Sequence, residues 1–183
     1  MNEAPVAVAT VVSVASAHPA ITAVELIGSR AAGDPTALSD WDFALDTDDP
    51  DAVIATLPAT VAAMQPLATF WDPLSTRWNL IVLVDGPHKV DLILDHPHGP
   101  GRAPAVDPHF WDWVLWLGSK HLRGQHDLVD RELTTLHRHL LQPLGVEERP
   151  ATIDQAVRAY GRTSAIARQV TEALAAAGVI RPR

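Results

Sequence analysis

The stretch Asp40-Trp41-Asp42-Phe43-Ala44-Leu45 constrains the fold more than any other part of this chain. Carboxylates and apolar side chains alternate there, and a period of two belongs to a β-strand. Such a strand needs an apolar layer on one side for Trp41, Phe43 and Leu45. On the other side it needs something to hold Asp40 and Asp42 together, because two carboxylates that close repel and cannot both ionise cheaply. A divalent cation removes the conflict. Oxygen ligands in a chain with no cysteine favour Mg²⁺ or Mn²⁺ over Zn²⁺.

The flanking pattern supplies the layers. Residues 4–17 read as a short helix with Val6, Val11 and Val14 inward, broken by His18-Pro19. Residues 21–27 (ITAVELI) read as a strand that ends at Gly28-Ser29, and residues 50–64 as a helix kinked at Pro58. Residues 77–84 and 89–94 read as two strands joined through Asp85-Gly86, a hairpin signal. His96–Pro108 holds four prolines and two glycines and reads as a linker. Beyond it the apolar spacing turns helical over 108–122, 127–141 and 152–177. The expected fold class is α+β: a small mixed-sheet domain over residues 1–104, followed by a C-terminal helical bundle over 105–183.

Charge is unevenly spread over the 183 residues, whose net is −8. Residues 1–104 hold 4 Lys/Arg against 13 Asp/Glu, whereas residues 105–183 hold 10 against 9. A nucleic-acid partner is not expected, because a phosphate-backbone binder needs a basic face. Seven of the 22 carboxylates fall between Asp34 and Asp51. Of these, Asp46, Asp48, Asp49 and Asp51 read as a solvated loop. The apolar stretch Val6–Ala17 follows Glu3 and no Lys or Arg, so it lacks the basic start of a signal peptide. No apolar run reaches the length of a membrane span. The chain reads as cytoplasmic, with no membrane partner.

Further candidates gather around the acidic strand. Gly28 lets a ligand approach the backbone, and Ser29 offers a hydroxyl and an amide suited to a phosphate oxygen. Arg30 is the only Lys or Arg among the first 76 residues and sits beside this turn, where a phosphate counter-charge belongs. Asp91, flanked by apolar residues in a strand that otherwise wants burial, is the candidate third carboxylate. Asp95 on the same strand face could substitute for it or cap the strand end. Glu25 reads as an exposed strand residue. His96-Pro97-His98 and His137-Arg138-His139 lack zinc-ligand spacing. Trp111, Trp113 and Trp116 could stack on a base or a drug ring, but at near-helical spacing they read as core. Lys120, after Gly118-Ser119, could reach a triphosphate or simply end a helix.

Gly28-Ser29, the ten-residue spacer, Asp40-Trp41-Asp42-Phe43 and Val90-Asp91-Leu92 together resemble the signature of the polymerase-β-type nucleotidyltransferase superfamily. The resemblance covers residues 5–95; the part after 105 is similar only in being helical. Within the superfamily, the short domain with a helical tail resembles the minimal nucleotidyltransferases and the antibiotic adenylyltransferases. The resemblance implies two Mg²⁺ ions held by Asp40, Asp42 and Asp91, with Mn²⁺ as a substitute. It implies contacts to the nucleotide phosphates from Gly28 and Ser29, to which Arg30 and Lys120 are added as candidate nucleotide-binding residues. Asp91 or a carboxylate near it would be the general base. The implied reaction moves a nucleoside monophosphate, AMP first, from an NTP to a hydroxyl of a small-molecule acceptor of the aminoglycoside or lincosamide type. A second implied reading is an antitoxin that binds or AMPylates a helical toxin partner, and a third is a degenerate nucleotide-binding protein. Whether the chain works alone, as a homodimer or with a helical protein stays open.

Overall fold

The computed structural model describes residues 4–98 and 105–182. They form two compact units. One takes the chain up to Pro35 and again from Asp40 through the strands; the other takes Thr36–Ser39 and the residues from Ala105 onward.

The first unit is a five-stranded mixed sheet with helices on one face. Its elements are α1 (Val6–Ser16), β1 (Ile21–Ile27), the single-turn α2 (Gly28–Ala31), β2 (Trp41–Thr47), α3 (Pro50–Ala62), β3 (Ala68–Trp71), β4 (Arg77–Val84) and β5 (His88–Pro97). The strand order is β1-β2-β5-β4-β3. Only β2 and β5 run parallel; every other neighbouring pair is antiparallel. Period-two alternation builds the core. Trp41, Phe43, Leu45, Leu80, Val82, Val84, Val90, Leu92 and Leu94 turn to the same side and meet Val8, Val11 and Ala15 of α1 and Val53, Leu57 and Val61 of α3. Asp42, Lys89 and Asp91 therefore turn to the opposite face, which also carries the buried Ile81 and Leu83.

Several expectations need correction. Val6 is 84% exposed, and the buried stripe of α1 is Val8, Val11 and Ala15. Pro5 stands at the N-cap, so Val6 opens the helix and its side chain falls outside the stripe. Strand β3 was not anticipated: it is four residues long and uniformly half-buried, so it shows no alternation. The linker reading of His96–Pro108 reaches too far at both ends. Residues 96 and 97 continue β5, and the next helix opens at Val106 with Asp107 and Pro108 in its first turn, where a missing N–H costs nothing. Residues 99–104 of that stretch lie outside the described residues. Asp49, read as solvated loop, is the N-cap of α3, its carboxylate accepting the Ala52 N–H at 3.0 Å.

The second unit is helical: α4 (Val106–Leu122), α5 (His126–Leu136) continued by a π-turn and a 3₁₀ turn to Leu144, α6 (Ile153–Tyr160) and α7 (Ala165–Ala176). The expected single helix over 152–177 is two helices. Gly161, at φ +62°, ends α6 in the left-handed region, and Ser164 caps α7 by accepting the Ala167 N–H. The apolar residues that give these stretches their helical spacing, Phe110, Trp111, Val114, Leu115, Leu117, Leu133, Leu136, Leu140, Ile153, Val157, Tyr160, Ala167 and Leu174, are all buried. Among the described residues no helix is long and apolar enough to cross a membrane.

Candidate metal centre

Backbone register assembles the acidic group. In the parallel pair β2/β5, Asp42 stands opposite Asp91; in the antiparallel pair β1/β2, it stands opposite Ile27, the last residue before Gly28. Asp40 lies two residues ahead of Asp42, on the same side. One carboxylate oxygen from each of Asp40, Asp42 and Asp91 lies within 4.8 Å of the others. No histidine joins such a group among the described residues.

The Gly28 turn is shaped around Asp42. Its φ is +69°, and a Cβ built on it would collide with Oδ2 of Asp42 and stand 3.0 Å from its Cγ. Only glycine lets the turn close on that carboxylate without displacing it. Ser29 is half-buried in α2, and its carbonyl accepts the Asp34 N–H at 2.9 Å.

Arg30 is engaged within the site's own framework. Its Nε donates to the Asp40 carbonyl at 3.0 Å, and its guanidinium lies 4.0 Å from the centre of the Trp41 ring. These contacts fix the backbone on either side of Asp40. Burial holds the Arg30 pKa below its ordinary value, while the carboxylates of Asp40 and Asp42 oppose that shift. His88, at the start of β5, is likewise pushed down, first by burial and then by the charge of Arg30.

Lys89 is the member that sequence reasoning missed. It precedes Asp91 by two residues on β5 and shares its face. Its ammonium stands 3.2 Å from Oδ2 of Asp91 and 3.7 Å from Oδ2 of Asp40, with its side chain only 7% exposed. The signal was present: a lone lysine one alternation away from a buried aspartate in an apolar strand. A buried ammonium requires carboxylate partners.

The donor set suits a hard divalent cation. All three candidate ligands are carboxylates, and Oδ1 of Asp40 is buried without a hydrogen-bond donor. A cation could satisfy that oxygen, where water cannot reach it.

The remaining candidates fall elsewhere. Asp95, exposed, pairs with Arg77 at 3.4 Å and is no part of the acidic group. Glu25 is exposed on β1. His98 packs edge-on to Trp78, and His137 bonds the Val146 carbonyl at 2.9 Å. In the second unit, Trp111 and Trp113 are buried, and the Lys120 ammonium sits 5.1 Å from the centre of the half-buried Trp116 ring. No protein-family model and no curated protein matches this chain.

Proposed function

We propose that this chain is a cytoplasmic, Mg²⁺-dependent nucleotidyltransferase that moves a nucleoside monophosphate, AMP first, from an NTP to a hydroxyl of a small-molecule acceptor. A hydroxylated antibiotic of the aminoglycoside or lincosamide type is the first acceptor class to try. The observation that carries this reading is the convergence of Asp40, Asp42 and Asp91 on adjacent parallel strands beside a glycine turn that closes on one of the three.

In this reading the acceptor oxygen forms a bond to the α-phosphorus, the bond from that phosphorus to the bridging oxygen breaks, and pyrophosphate leaves. Asp40, Asp42 and Asp91 would hold two Mg²⁺ ions, which when bound neutralise phosphate charge and make the acceptor hydroxyl easier to deprotonate. Asp91 or a carboxylate beside it takes that proton. The Gly28-Ser29 turn presents amide and hydroxyl groups to the terminal phosphates, and Arg30 steadies the backbone from which Asp40 projects.

The test is pyrophosphate release with each NTP in the presence of Mg²⁺ and a panel of hydroxylated acceptors. Wild type should release pyrophosphate with at least one acceptor, and Asp42→Asn or Asp91→Asn should lower the rate by at least two orders of magnitude. A wild-type protein that binds Mg²⁺ yet releases none from any NTP across the panel would sink the proposal.

A further inference from the structure

A triad of carboxylates carries three negative charges when ionised. In this protein it is not alone, because the Lys89 ammonium is inserted between Asp40 and Asp91 on the buried face of the sheet. The lysine did not drift there from the surface. Its backbone is held in β5 opposite Leu83, and Asp91 is held opposite Ile81, so both side chains emerge on one face beside buried apolar residues. Strand alternation fixes their adjacency as firmly as it fixes that of Asp40 and Asp42.

The charges of these four side chains count to one ion. Three carboxylates and one ammonium leave a charge of −2, which a single divalent cation neutralises. A second divalent cation would leave a surplus of two positive charges in a poorly solvated place, where such a surplus is costly. Lys89 engages the Oδ2 atoms of Asp40 and Asp91, which leaves the buried Oδ1 atoms of both carboxylates for an ion. We infer that Lys89 is a resident cation filling one of the two places a carboxylate triad offers, so that this protein, free of nucleotide, binds one divalent ion rather than two. The inference rests on the metal-centre reading above and refines it. It makes Lys89 a residue that sets metal stoichiometry and holds Asp40 and Asp91 together when no ion is present. Without Lys89, the place it fills opens to a second cation, which the three mutually repelling carboxylates then take.

The experiment is a count of bound Mn²⁺ per chain by equilibrium dialysis, with the free ion read by electron paramagnetic resonance and no nucleotide added. Wild type should saturate at one ion and Lys89→Arg at one, whereas Lys89→Met should saturate at two. A wild-type count of two, or a folded Lys89→Met still at one, overturns the inference while leaving the metal centre intact. A wild-type count of zero overturns the metal-centre reading and this inference with it. Far-UV circular dichroism checks each variant. If Lys89→Met does not fold, Lys89→Gln is counted in its place, and the wild-type count can overturn the inference without either.

Discussion

At the scale of single residues, Gly28 links backbone geometry to ligand position. Its left-handed φ costs a residue with a Cβ about 1–2 kcal/mol, and the Cβ would also strike the Asp42 carboxylate. Gly28→Ala should therefore do two separable things. It should lower the melting temperature by roughly 2–8 °C, at about 2–4 °C per kcal/mol for a chain of this size. It should also weaken Mn²⁺ binding about ten-fold or more, because Asp42 must rotate away. A thermal melt and a metal titration of the same sample check both; normal metal affinity in the variant would show that Asp42 does not depend on the turn. The contrast between Asp91 and Lys89 shows how far single residues were readable. Asp91 is legible because an acid in an apolar strand demands a partner. The role of Lys89 depends on its distance to Asp40 on another strand, and that distance comes from register, which no local pattern encodes.

At the scale of elements, the strands with strong period-two patterns were legible, and so was the hairpin at Asp85-Gly86, where Gly86 takes φ +110°. Strand β3 was not, because an edge strand half-buried along its length has no contrast between faces. The break at Gly161 was hidden for the opposite reason: apolar residues on both sides of it keep one helical stripe in phase. Where α4 and α6 meet, the Tyr160 hydroxyl donates to Oδ1 of Asp107 at 2.9 Å, and its ring stacks on Phe110 at 3.9 Å. Burial, then the hydrogen bond and charge of Asp107, push the Tyr160 pKa up to about 12. A raised phenol pKa means that the folded state keeps its proton where the unfolded chain has lost it. The stability this supplies is complete below about pH 10 and is lost as pH climbs toward 12. Urea unfolding across that window should show wild type losing more stability than Tyr160→Phe, which has no proton to lose. Parallel slopes for the two proteins would contradict it.

At the scale of the whole molecule, the acidic excess in residues 1–104 has a structural account in part. Asp40, Asp42 and Asp91 converge, Asp49 caps a helix, and Asp46, Asp48 and Asp51 remain solvated. A ligand that binds only the folded state stabilises it by about 2.7 kcal/mol at one hundred times its dissociation constant. Saturating Mg²⁺ should then raise the melting temperature by roughly 5–11 °C. Chelation should reverse the rise, and Asp91→Asn should abolish it while Asp95→Asn keeps it. Equal shifts in those two variants would mean that the cation acts by general screening. The α+β class was legible from the change of apolar period along the chain. That Thr36–Ser39 belong with the helices was not, because Leu38 and Leu174 close on Gly118 across long sequence separations: a Cβ on Gly118 would lie 2.8 Å from one and 2.6 Å from the other.

That four-residue excursion has a consequence for how such a protein can be taken apart or assembled in evolution. The helical unit keeps one of its own pieces inside the open reading frame of the sheet unit, so a single crossover near residue 104 does not exchange clean modules. The recombinant would inherit a foreign plug where Leu38 belongs. On the ribosome, likewise, the segment emerges long before the helices that receive it, so the helical unit closes only when its last partner has been synthesised.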